Sequence, residues 1–218
     1  VQDYEQEKWS YCPPLDELTL HMEADFVGTK TIMPFCRRQR INNKGGTASV
    51  YWVAIQTDLI ADQRLREVLE KSIYNDPDFG LVSGHFLISY ELKLMLLPSQ
   101  CYSMALKSYL GNKKDSYDYE KAVFSGLKND LQMPVVRYLG CYTHDYGEGN
   151  GMGKTYNLLL QFGEKDLEEY WADPTTVPPV RAVEIIHFWE SLFKVAEAIR
   201  RMHSLQIPHD RDMLDYHG

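Results

Sequence analysis

An excess of basic charge is the first thing this sequence lacks: 23 Lys and Arg stand against 31 Asp and Glu, a net charge of -8. That balance argues against a nucleic-acid-binding role built on a basic surface. It also offers nothing to attract an anionic membrane. Cysteine is sparse, and Cys12, Cys36, Cys101 and Cys141 show no C-x-x-C spacing, so neither a zinc site nor a disulfide framework is indicated. The thiols are expected to be reduced and mostly buried, as in the cytosol or nucleus. No apolar run is long enough to cross a bilayer, since Leu81 to Leu97 is interrupted by His85, Ser89, Glu91 and Lys93. The opening Val-Gln-Asp-Tyr-Glu is acidic, carries no apolar signal-peptide core and lacks an initiator Met, so it reads as the start of a processed or excised soluble chain.

What is present is ordinary for a folded protein. Hydrophobic residues make up 44% and charged residues 25% of 218, enough for one generous domain or one and a half small ones. Residues 1 to 31 read as a lead-in, with a short helix expected over Leu15 to Glu23 because Asp16 and Glu17 suit its positive end. Two strand-like runs around Phe35 and Val50-Tyr51-Trp52-Val53 flank Asn-Asn-Lys-Gly-Gly, which predicts a hairpin. The pattern over Asp58 to Tyr74 predicts a helix with Ala61, Leu65, Val68, Leu69 and Ile73 on one stripe, and Asp78-Phe79-Gly80 reads as the turn after it.

The stretch that organises the chain follows. Cys101 to Lys107 predicts a buried strand bearing one lysine, and after a short polar turn Tyr119 to Leu127 predicts a helix with Glu120, Phe124 and Leu127 at helical spacing. Val135 to Tyr142 and Tyr156 to Phe162 predict two more strands, with a solvent loop from Thr143 to Lys154 between them. A short helix is expected from Lys165 to Trp171. A long one is expected from Arg181 to about His203, with Ile185, Trp189, Leu192, Phe193, Ala196 and Ile199 facing a core.

Two readings of the hairpin tip stand side by side. Gly45 and Gly46 supply the backbone freedom of a turn, or they let backbone N–H groups approach phosphates closely, with Asn43, Gly45, Ala48 and Val50 as the flap positions. Lys107 and Glu120 can likewise be an ordinary strand lysine and helix glutamate, or an ion pair that holds phosphates.

Taken in order, these elements resemble the N-terminal lobe, hinge and first large-lobe helices of eukaryotic-type protein kinases. The runs Tyr138-Leu139-Gly140-Cys141-Tyr142 and Asp166-Leu167-Glu168-Glu169-Tyr170-Trp171, with the long polar insertions, resemble more narrowly the divergent kinases of filamentous fungi. Met104-Ala105-Leu106-Lys107 is similar to the Val-Ala-Ile-Lys motif, and Glu120 to the helix glutamate that partners its lysine. Val136-Arg137-Tyr138-Leu139-Gly140-Cys141-Tyr142 resembles the strand after that helix. Leu158-Leu159-Leu160-Gln161-Phe162-Gly163 resembles the hinge, and Met202-His203-Ser204 the end of the helix before the catalytic loop. The resemblance implies an α+β fold: a kinase-like lobe of antiparallel sheet and one helix over residues 32 to 162, with an insertion at about 58 to 100. Residues 163 to 218 would form the hinge and the start of a second lobe. It implies ATP as ligand, with Lys107 on the α- and β-phosphates, Glu120 holding its ammonium, Ala105 beside the nucleotide, Leu160 as gatekeeper, and the backbone at Gln161 to Gly163 facing adenine. A protein hydroxyl would be the phosphoryl acceptor, and Mg is expected on ligands beyond residue 218.

The departures limit what these 218 residues are expected to do. Kinases use a His-Arg-Asp-x-Lys-x-x-Asn loop and a following Asp-Phe-Gly. After Asp212 the required Lys and Asn positions hold Leu214 and His217, and Asp78-Phe79-Gly80 precedes Lys107, out of order for a metal ligand. The chain is therefore expected to stop before the catalytic loop and to be inactive alone. The alternatives are a pseudokinase or interaction module without phosphotransfer, and an unrelated α/β binding protein. The aperiodic apolar run from Val82 to Gln100 reads either as a surface insertion or as an unspliced short intron, since Val-Ser and Gln codons can spell donor- and acceptor-like ends.

Overall fold

The computed structural model describes residues 17–28, 32–41, 47–75, 100–128, 135–147, 153–163, 165 and 167–204. The hairpin-tip residues Asn43, Gly45 and Gly46, the Asp78-Phe79-Gly80 turn, the Val82–Ser99 run and His209 to Asp212 lie outside them. The fold is α+β with a mixed seven-stranded sheet. In chain order the strands are β1 (Met22–Val27), β2 (Arg37–Arg40), β3 (Ser49–Gln56), β4 (Ile73–Asn75), β5 (Gln100–Leu110), β6 (Tyr138–Asp145) and β7 (Lys154–Gln161). The helices are α1 (Gln63–Leu69), α2 (Lys114–Leu127), α3 (Leu167–Ala172) and α4 (Ala182–Ser204). The strands lie in the order β1-β6-β7-β5-β3-β2, with β4 also paired to β5.

Contacts divide the chain into two units, Val1–Tyr117 with Leu139–Phe162, and Asp118–Tyr138 with Gly163–Gly218. In the first, β5 is antiparallel to β3 on one side and to β7 on the other. Alternation along β3 and β5 sends Val53, Ile55, Tyr102, Met104 and Leu106 to one face, joined by Leu159 of β7, and these residues form the core. Leu65 and Leu69 of α1, together with Leu18 and Ile60, cover that face. Each such side chain removed from water contributes on the order of 1.5–3 kcal/mol.

The expected helix over Leu15 to Glu23 is not formed by its described residues: Met22 instead begins β1, which runs parallel to β6. The period is two, with Met22, Ala24 and Phe26 packing on the core while Glu23, Asp25 and Val27 face outward. Strand pairing with β6, and the Thr143 hydroxyl donating to Asp25, outweigh weak local helical preference. The same pairing carries β6 to Asp145, three residues beyond the expected strand end.

The helix expected over Asp58 to Tyr74 is shorter. Asp62 caps α1, accepting from the Arg64 N–H at 2.9 Å, and also accepts from the Leu20 N–H at 2.7 Å. These bonds, the Leu20 N–H foremost, hold the Asp62 carboxyl below its ordinary range. Ile73 is extended because β4 pairs with β5 at Tyr102. In contrast α2 starts five residues earlier than expected. Tyr117 is buried, its ring 5.8 Å from Tyr109 and 5.2 Å from Tyr156, and this anchor makes the polar residues before it helical.

In the second unit, Leu127 and Ala198 are buried with Val123, Val135 and Met202 packed around them. The stripe expected to face a core on α4 does not: Trp189 is 54% and Phe193 71% exposed, and Ala198 is the buried residue of that helix. The small Ala198 side chain selects the face that packs, because it permits close approach. Among the described residues no helix is long and apolar enough to cross a membrane.

Two variants test this account. A Cβ at Gly140 would lie 2.9 Å from the Met22 carbonyl oxygen across the β1–β6 pair. Gly140→Ala is expected to cost about 1–3 kcal/mol, read as a lower urea midpoint, and an unchanged midpoint contradicts the close approach. Asp62→Ala is expected to cost about 1 kcal/mol at neutral pH. Because the folded-state pKa is lowered, that contribution is complete above the unfolded value of 3.8 and is lost as pH falls through the folded value. Urea titrations from pH 7 to 3 should therefore show the gap between wild type and variant closing in acid; a constant gap contradicts the assignment.

Candidate functional site

Strand register assembles the candidate site residues of the first unit. Lys107 lies opposite Val50 of β3 and Leu158 of β7. Two residues earlier, Ala105 lies opposite Trp52 and Leu160. Directly opposed residues on antiparallel strands project to the same side, so Val50, Trp52, Ala105, Lys107, Leu158 and Leu160 share the face opposite the core. Gln161 pairs with Met104 and therefore sends its side chain to the core side.

This second face is graded. Leu158 and Leu160 are buried, whereas Val50, Trp52, Ala105 and Lys107 are half-buried. At one end the Tyr109, Tyr117 and Tyr156 rings close over it, and the Lys107 ammonium stands 5.6 Å from the Tyr109 ring centre. At the other end the Trp52 Nε1–H donates to the Ser103 hydroxyl at 3.1 Å, and its ring lies 5.7 Å from Tyr74. An ammonium on a half-open apolar strip can hold an anion whose other end is flat and apolar.

The remaining candidates stand elsewhere. Ala48 is half-buried just ahead of β3, while the rest of the expected flap lies outside the described residues. Glu120 is half-buried on α2, three residues after Tyr117 and so on the same helical face. Lys107 belongs to the first unit and Glu120 and Gly163 to the second. Gly163 is exposed, and a Cβ there would meet nothing within 4 Å, so space does not demand glycine. Trp52 and Tyr109 were not among the sequence candidates. Their signal was available in the period of two along β5 and the pairing of β3 with it.

Two polar clusters of the second unit are paired within themselves. Lys165 pairs with Asp173 and, with the Thr175 hydroxyl and N–H, holds that carboxyl well below the usual range. The Arg181 side chain and N–H lower Glu184 in the same way at the start of α4. A groove of about 550 Å³ lies beside them, walled by Trp171, Pro178, Phe188, Leu192 and Val195. Among the described residues no three His, Cys, Asp or Glu side chains converge as a metal ligand set. Comparison with protein-family models and with curated protein sequences returns no match for this chain.

Proposed function

We propose that the β3–β5–β7 face opposite the core binds ATP, with Lys107 on the phosphates, and that the chain is the ATP-binding part of a protein serine/threonine kinase. Its acceptor would be a protein hydroxyl. The reading is carried by one observation: Val50, Ala105, Lys107 and Leu160, singled out in the sequence for this role, occupy two adjacent rows on one face of three strands. Val50, Ala105 and Leu160 supply apolar surface for a base, and the Lys107 ammonium supplies positive charge two residues along from Ala105. The kinase-like form of the fold is likewise supported by strand order, since the lysine strand lies between the second hairpin strand and the strand with the hinge-like sequence.

Chemically, a phosphoryl group in transfer needs its charge neutralised and its position held more than it needs covalent assistance. Lys107 can do the first for the α- and β-phosphates. Mg would neutralise further charge when bound, on ligands expected beyond residue 218, and no step is assigned to it. A module that binds nucleotide or a partner without transfer is the second reading, favoured by the sequence, in which residues 1–218 spell no His-x-Asp-x-Lys-x-x-Asn loop.

Titration of the chain with a fluorescent ATP analogue, displaced by ATP, tests the proposal. Weak saturable binding is expected, with affinity reduced about tenfold or more in Lys107→Met at unchanged far-UV circular dichroism. Glu120→Gln reads the part of the helix glutamate separately, with a smaller loss expected. Equal affinity of wild type and Lys107→Met, or no binding by wild type, overturns the proposal.

A further inference from the structure

Cys36 and Cys101 are 65 positions apart in sequence, yet their Sγ atoms are 3.8 Å apart. Two features bring them together. The Cys36 N–H donates to the Ala54 carbonyl oxygen at 2.9 Å, with its Sγ 3.3 Å from the same oxygen, which fixes the chain just before β2 against β3. Cys101, the second residue of β5, lies opposite Gln56 of β3, two residues along from Ala54. The two thiols also differ in access. Cys36 is half-buried at the sheet margin, whereas Cys101 is fully buried.

We propose that Cys36 and Cys101 are a redox-closable thiol pair, oxidised to a disulfide by a small-molecule disulfide such as glutathione disulfide. The inference stands independently of nucleotide binding. The accessible Cys36 thiolate attacks one sulfur of the oxidant, forming a mixed disulfide and releasing one thiol. The Cys101 thiolate then attacks the Cys36 sulfur and releases the second thiol. The two protein thiols lose two electrons, the oxidant gains them, and both protons end on the two released small-molecule thiols. Closing the pair requires the sulfurs to approach from 3.8 Å to about 2.05 Å and, because β3 runs between the two chains, a shift of the bend at Cys36 toward β5. The bond would tie the base of the β2–β3 hairpin to the strand that carries Lys107, and a dithiol reductant would reverse it.

The test incubates the whole chain with glutathione disulfide, blocks remaining thiols under denaturing conditions, and maps non-reduced peptides by mass spectrometry. A Cys36–Cys101 linked peptide is expected, with Cys12 and Cys141 alkylated, and the link should disappear on later treatment with dithiothreitol. Cys36→Ser should abolish the link, whereas Cys141→Ser should retain it. Because the wild-type map alone decides the matter, a poorly folded variant does not blunt the test. Four alkylated thiols, a lasting glutathione adduct on Cys36 without ring closure, or a link through Cys12 or Cys141 instead would each overturn the proposal.

Discussion

Everything in the first unit depends on the hydrogen-bonded register of β5 between β3 and β7. Along this strand even-numbered residues from Tyr102 to Leu106 enter the core, and odd-numbered residues from Cys101 to Tyr109 take the other side. A slip of one residue would place Lys107 in the apolar core and expose Leu106, at a cost of several kcal/mol for the unpaired charge. Core packing on one face therefore determines where the single lysine of the strand must stand. The candidate nucleotide face is a consequence of the same constraint that folds the sheet.

Much of this was legible in the sequence. The lysine strand, the second hairpin strand and the long α4 helix are where their composition placed them, because apolar residues crowd these segments, whereas β2 is Arg37-Arg38-Gln39-Arg40 and is held by its pairing with β3. The mistakes have two causes. Met22 to Val27 carries a period of two, but Asp16 and Glu17 ahead of it suit a helix start, and only a distant partner, β6, decides between strand and helix. Gly140 was the overlooked signal, since an isolated glycine within a strand marks close backbone approach, here by Met22. The α4 stripe failed differently: periodicity identifies an apolar face but not whether anything covers it.

The candidate site was legible to the extent that it is built from strands. Val50, Ala105, Lys107 and Leu160 fall together because antiparallel register is regular. Trp52 and Tyr109 belong to the same surface and were missed because residue-type motifs draw attention to charge and small side chains, whereas the walls of a site are set by pairing. The nearness of Cys36 to Cys101 could not be read from spacing at all, since a separation of 65 positions carries no geometric information until the sheet is formed.

The central claim is that the Lys107 ammonium meets nucleotide phosphate on the face away from the core. Acylation by a biotinylated ATP acyl phosphate, followed by peptide mapping, measures this directly, because the reagent transfers its acyl group to a lysine beside the bound phosphates. The account predicts that Lys107 is labelled and that excess ATP protects it. Labelling confined to other lysines, or labelling of Lys107 that ATP leaves unchanged, would contradict it.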